Sequence, residues 1–326
     1  MSLAEIESRQ GLALEDSATG GLWVDAWRRL RHNKAALVGF AFVGIFVLTA
    51  IFAPLLAPYS PTEQNLLLVQ NGCCPGPSSA HLFGVDQLGR DELSRIIYGA
   101  RYSLIIGVVA VATGMSVGLF FGAIAGYFGG AIDSVIMRCM DVMLAIPGLL
   151  FAIGIVAMLG PGLYQIMIAV GVVNVPIFAR LLRGSVLAQK ESDFVLAARA
   201  VGVPRRTILA SHILPNAISP LIVQGTLAMA TAIIDVAGLG FLGLGPQDPG
   251  TPEWGTMLTE VDRYLQSAPH LAIIPGIAIV ISVLGFNLIG DGLREALDPK
   301  LRGRVGRFKV RRRKDAKFVS GIADPV

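Results

Sequence analysis

Asp193-Phe-Val-Leu-Ala-Ala-Arg-Ala-Val-Gly-Val-Pro-Arg-Arg-Thr-Ile-Leu-Ala-Ser-His-Ile-Leu-Pro-Asn216 is a polar interruption between long apolar runs. Its residue order predicts a short helix, a tight turn and a returning helix. Ser192 stands where an N-cap is needed, and Asp193 puts a carboxylate in the first turn, against the positive helix end. At helical spacing Phe194, Ala197, Ala198 and Val201 share one face, with Arg199 directed away from it. Gly202 supplies a residue able to turn left-handed and close the helix. Pro204 suits the first turn of the next helix. The predicted exposed face is apolar, and its alanines allow a partner to approach closely.

The chain around this stretch has a membrane composition. Of its 326 residues 53% are hydrophobic and 15% charged, where a soluble domain carries about a quarter charged. Mean hydropathy is +0.64, and 38 glycines fit the higher glycine content of membrane helices. The expectation is an all-α polytopic membrane protein. The net charge of +4 comes largely from the two ends, so it reports topology and gives no sign of nucleic-acid binding. Three cysteines give neither a disulfide framework nor a metal-ligand spacing. The N-terminal region lacks a cleavable signal pattern.

Residues 1–34 read as a cytoplasmic tail, with a short surface helix around Leu22 to Trp27 and the basic cluster Arg28, Arg29, Arg31 and Lys34. The uncharged run 35–57 has 23 residues, roughly 34 Å as a helix, and is the first predicted span. Its basic flank holds the N-terminus inside. Residues 58–102 are predicted as an external loop with an interfacial helix. There Cys73 and Cys74 are adjacent, poorly placed to bond each other; the readings are two thiols or a bond to another subunit. From His81 to Leu104 charges alternate with apolar residues as on a solvated interfacial helix, and no second histidine stands at ligand spacing.

Residues 103–297 form the predicted five-helix core. The second span covers 103–132. Residues 142–179 are 38 residues without a charge, enough for two spans split at Gly160-Pro161-Gly162 and kinked by Pro147 and Pro176. Arg180 and Arg183 place the loop 184–215 inside. The fifth span is 217–236, an acidic external loop follows, and the sixth is 271–290. From Lys300 the tail 298–326 carries ten Lys/Arg against two Asp, so it too is expected inside. The expectation is six transmembrane helices with both termini cytoplasmic.

The opening loop resembles the cytoplasmic loop of membrane subunits of binding-protein-dependent ABC importers. That pattern reads Glu-Ala-Ala, three residues, Gly, nine residues, then a hydrophobic residue and Leu-Pro. Ala197, Ala198 and Gly202 match it, nine residues separate Gly202 from His212, and Leu214-Pro215 follow in register. Leu196 stands where the family has glutamate, which puts a salt bridge from that position in doubt. The segment from His81 through Gly84, Asp86, Gly89-Arg90-Asp91 and Leu93-Ser94-Arg95 narrows the resemblance. With Tyr98-Gly-Ala-Arg101, Ala125–Gly130, Leu239–Gly245 and Gly290–Pro299, it is similar to the C-type permease of the dipeptide/oligopeptide/nickel branch.

The resemblance implies a type I importer permease fold in a bacterial inner membrane. It also implies a heterodimer with a B-type permease, two ABC ATPase subunits or one fused ATPase, and an extracytoplasmic solute-binding protein. Phe194, Ala197, Ala198, Val201, Gly202, Leu214 and Pro215 would form the ATPase-coupling loop, and the solute would be a di- or oligopeptide, nickel or another small solute. No Gly-x-x-x-x-Gly-Lys-Ser/Thr occurs, so ATP and Mg are expected on the partner ATPases and no cofactor on this chain. No triad order or metal motif supports an intramembrane enzyme. A secondary transporter or channel would show inverted repeats or several midplane charges, and the sequence shows neither. Asp235 is an acid late in an apolar run. It either lines the pathway as a gate or substrate contact, or sits at the outer end of its span near headgroups.

Overall fold

The computed structural model describes residues 22–70, 72–248 and 250–297. The tail from residue 298 lies outside them, as do the first 21 residues. Among the described residues the chain is helical, with one isolated bridge, Val85 to Asp91, in place of any sheet. Contacts divide the described residues into two compact units, those up to Leu37 with those from Asp291, and those from Val38 to Gly290.

In the first unit, α1 (Leu22–Leu30) precedes the start of α2 (Lys34–Ile51). Ala26 and Leu30 bury against Ala36 and Ala296, with Leu293 and Leu297 alongside. Asn33 closes the corner: its Oδ1 accepts the Ala36 amide at 3.1 Å and its Nδ2 donates to Glu295 at 2.6 Å.

The second unit is built around α3 (Glu92–Phe128), a 37-residue helix. At 1.5 Å per residue it is roughly 55 Å long, well beyond the hydrocarbon thickness. The expected interfacial helix is therefore the first part of this helix. After α3 come α4 (Gly130–Leu144), α5 (Gly148–Leu159) and α6 (Leu163–Lys190). Then follow the short α7 (Asp193–Ala200), α8 (Ser219–Leu239), α9 (Trp254–Glu260) and α10 (His270–Leu297).

Among the described residues five helices are long and apolar enough to cross a membrane: α2, α3, α6, α8 with its extension to Leu244, and α10. The expected third span departs from the sequence reading. Pro147 does more than kink a helix, since α4 and α5 are separate and bent by 91°. Proline disfavours helix in the residue before it and removes a donor, so the chain leaves the helix at Ala145-Ile146. The pair counts as a sixth span only if taken as one broken crossing. The break at Gly160–Gly162 is present as expected, and Pro176 lies within α6.

The α3–α6 contact decides the core. Gly114, Gly118, Gly122 and Gly126 recur every four residues and so form one stripe along α3. A Cβ at Gly114 would meet the Gly171 carbonyl at 2.5 Å, at Gly118 the Val175 carbonyl at 2.7 Å, and at Gly126 the Arg183 carbonyl at 3.0 Å. Gly122 abuts Ala179 in the same way. Lipid gives no hydrophobic drive between helices, so such close backbone approach supplies the dispersion that holds them. Asp133 and Asp141 on α4 pair with Arg183 and Arg180 on α6.

Two sequence expectations fail at the N-terminal end of α3. The residues read as a solvated face are buried: Asp86, Arg90, Asp91, Glu92 and Arg95. Asp86 accepts the Leu88 and Arg90 amides at 2.9 Å, Arg90 Nε at 2.6 Å, and Arg95 Nη1. Glu260 accepts from Arg90 at 2.7 Å and from Arg95 at 2.9 Å. Asp91 caps α3 through the Ser94 amide at 2.8 Å and holds His81 at 2.9 Å. Arg90, Asp91 and Glu92 are consecutive and all buried, so alternation along the chain does not decide which side faces protein. Cys73 and Cys74, expected as two thiols or as a bond to another subunit, are bonded to each other across a cis peptide bond and pack near Val261 and Leu271.

Candidate functional site: the α7 loop

Ser192 takes the extended backbone of an N-cap, but its hydroxyl donates backwards to the Gln189 carbonyl at 2.6 Å and caps nothing. The end of α7 is built as its sequence demands. Val203 N donates to the Ala198 carbonyl and Gly202 N to the Arg199 carbonyl, both at 3.1 Å, a paired closure around a left-handed residue. Gly202 has φ +83° with open space around it, so its glycine is required by backbone conformation and not by crowding.

Beyond Pro204 the return segment widens into a turn over Ile208–Ile213, where Leu214 N donates to the Leu209 carbonyl. The wider turn makes room for Pro215, whose ring would clash in a regular helix. Leu214 is half-buried and Pro215 exposed.

The face of α7 differs from the sequence reading. Ala198 is 8% exposed and turns inward beside Val195, which is fully buried with Ile208 and Ile213 in the core. Phe194, Ala197 and Val201 point outward, Phe194 43% and Val201 81% exposed, and Leu196 joins them. Arg199 is also exposed. Thus Ala198 leaves the proposed contact face and becomes part of what holds α7 in place.

Two residues that the sequence reading did not single out tether this loop. The Tyr127 hydroxyl, at the end of α3, donates to the Arg205 carbonyl at 2.9 Å. Lys190 donates to the Tyr127 carbonyl at 2.9 Å, with its ammonium 5.9 Å from the Tyr127 ring. The loop is therefore fixed to α3 as well as to α6. The Ala125–Gly130 motif contained this tyrosine, but no periodicity reveals a hydroxyl that reaches 78 positions along the chain.

Asp235 lies half-buried on α8, and the apolar segment continues through Leu239 and an irregular turn to Leu244. The candidate span on α8 thus runs on past the expected end near Val236, to Leu244. Among the described residues no group of three or more His, Cys, Asp or Glu is placed to hold a metal ion.

A helix-turn with an apolar outer face, tethered to two spans in a helical membrane chain, has close relatives. A family model described as "binding-protein-dependent transport system inner membrane component" matches residues 118–303. The chain belongs to this permease family. The N-terminal domain of oligopeptide transport permease C matches residues 21–71, which makes this permease C-type.

The permease is 50% identical to the dipeptide transport system permease protein DppC of Alkalihalophilus pseudofirmus, over 86% of this chain and 90% of that one. It is 47% identical to the di/tripeptide permease DppC of Pseudomonas aeruginosa, over 85% and 91%. It is also 47% identical to the glutathione transport system permease protein GsiD of Escherichia coli, over 86% and 91%. Among solved structures, an inward-facing MetNI methionine ABC transporter chain matches with TM-score 0.52 at 19% identity, over 63% of this chain and 97% of that one. That likeness concerns the fold. The permease is thus a multi-pass inner-membrane component of a binding-protein-dependent ABC importer, a transport subunit and not an enzyme.

Proposed function

We propose that this permease pairs with a B-type permease to form the pathway for di- and oligopeptides, and that α7 receives the ATPase. The observation that carries the proposal is the outward set Phe194, Ala197 and Val201 on a rigidly closed turn. ATP and Mg sit on two ATPase subunits or one fused ATPase, and an extracytoplasmic binding protein delivers the solute. The loop and both termini lie on the cytoplasmic side, as the basic clusters require. Closure of the ATPases moves α7, and its two tethers pass the movement to α3 and α6. The peptide substrate is supported by relatives named for dipeptides, di/tripeptides and glutathione, itself a tripeptide.

Asp235 is proposed to face the pathway, where a carboxylate within a span meets water and a peptide ammonium instead of lipid.

The test is the reconstituted complex with Ala197→Asp or Gly202→Val. Both should leave insertion and permease pairing intact, while ATPase co-purification and peptide-stimulated hydrolysis fall. Normal recruitment and coupling in both would remove α7 as the docking element. In the same assay Asp235→Asn should keep hydrolysis but lower uptake of peptides with a free ammonium. Uptake of nickel instead of peptide by the wild-type complex would overturn the substrate assignment.

A further inference from the structure

We propose that the exposed face of α1 is a binding surface for anionic phospholipid headgroups beside the start of α2. The inference requires only that α2 crosses the bilayer. Ala26 and Leu30 are covered within their own unit, while Val24, Trp27, Arg28 and Arg31 recur at helical spacing on the uncovered side. Val24 is 56% and Trp27 57% exposed. The Arg31 guanidinium lies 6.0 Å from the centre of the Trp27 ring. α1 and the turn that follows it thus carry an apolar residue, an aromatic residue and two arginines on one side.

Position decides what meets that face. Lys34 follows Leu30 by four Cα steps, at most about 14 Å when extended, and the turn bonds from the His32 and Asn33 amides to the Arg29 and Leu30 carbonyls keep it shorter than that. The headgroup layer beyond the hydrocarbon is roughly 5–8 Å deep on each side. Since α2 enters the membrane at Lys34, α1 is held at that layer. Tryptophan favours this depth because its ring is apolar and its N–H polar. Arginine there meets phosphate oxygens with fixed donors. Residues 22–34 carry Arg28, Arg29, Arg31 and Lys34 against the single acid Asp25, so the local charge complements an anionic surface. An exposed indole with flanking arginines suits this interface better than open water or hydrocarbon.

The experiment uses the full chain in its assembled transporter, in nanodiscs of phosphatidylcholine alone or with added phosphatidylglycerol. Lipids brominated near the headgroup should quench wild-type tryptophan fluorescence more than that of Trp27→Phe, and lipids brominated at the chain ends should not make this distinction. Phosphatidylglycerol retained in native mass spectrometry should drop about fivefold for Arg28→Gln and again for Arg31→Gln. The double arginine-to-lysine variant should keep it. Equal headgroup quenching of wild type and Trp27→Phe in the assembled complex would mean that protein covers this face, and would overturn the proposal. So would unchanged phosphatidylglycerol retention in the double glutamine variant.

Discussion

The two ends of α3 break the usual burial rule in opposite directions. At its N-terminal end Arg90 is 0% exposed and is gripped by Asp86 and Glu260. Near its C-terminal end Val201 is 81% exposed on a loop tethered to Tyr127. A buried guanidinium is tolerable only when its donors meet acceptors, and here the carboxylates that satisfy it belong to the same chain. A row of exposed apolar side chains has no such internal answer and marks a surface that a partner covers. The first region is complete in the subunit; the second is completed by assembly.

Mutations at the two ends should therefore separate stability from assembly. The largest effect is expected from Asp86→Asn, which leaves Arg90 and Arg95 short of a buried carboxylate. Breaking such a pair costs about 3–5 kcal/mol, so the variant should lose most of its thermal stability in detergent or fail to accumulate in the membrane. Wild-type melting by Asp86→Asn would show that the network is not what holds this end together. Phe194→Ala with Val201→Ser should do the reverse. Exposed positions change stability by less than about 0.5 kcal/mol, so melting of the isolated permease should hardly move. ATPase co-purification should nonetheless weaken roughly tenfold, the equivalent of about 1.4 kcal/mol of lost apolar contact. A destabilised permease with normal ATPase recruitment would invert the comparison.

Much of this architecture is legible in the sequence, because a span needs only length and apolarity, and Gly202 announces its own turn. What escapes has identifiable causes. Phe194, Ala197 and Val201 form one apolar stripe on α7, and Val195 with Ala198 forms another beside it. When both stripes are apolar, periodicity cannot choose which one faces the core, and packing on Ile208 and Ile213 makes the choice. The charges from Asp86 to Arg95 look solvated because their partner Glu260 lies some 170 residues away along the chain. The α4–α5 break was visible only as Pro147, which signals a kink or a full stop depending on neighbours. The glycine stripe from Gly114 to Gly126 was present at its four-residue spacing throughout, and the close approach to α6 explains it.

The smallest expected effect tests whether a buried carboxylate at the closed end must always have a cation. Glu253 is buried, and no basic side chain pairs with it among the described residues. Its carboxylate accepts the Gly255 amide at 2.8 Å and the Thr256 amide at 2.9 Å, capping α9. Burial pushes its pKa up, and those two amides and the Thr256 hydroxyl pull it back only in part. An acid whose folded pKa exceeds its unfolded one holds its proton more tightly when folded. Its contribution is therefore present in full below the ordinary value near 4.5 and is lost as pH rises through the raised value. Wild-type stability should accordingly fall as pH climbs above about 5, with a slope from this one group of at most about 1.4 kcal/mol per pH unit. Glu253→Gln removes the titrating proton while keeping one acceptor for the cap, so its thermal midpoint should vary less with pH over the same range. Parallel pH profiles for wild type and Glu253→Gln would mean that the two backbone amides balance the burial cost. The closed end would then tolerate a charge on helix-capping bonds alone, with no arginine needed.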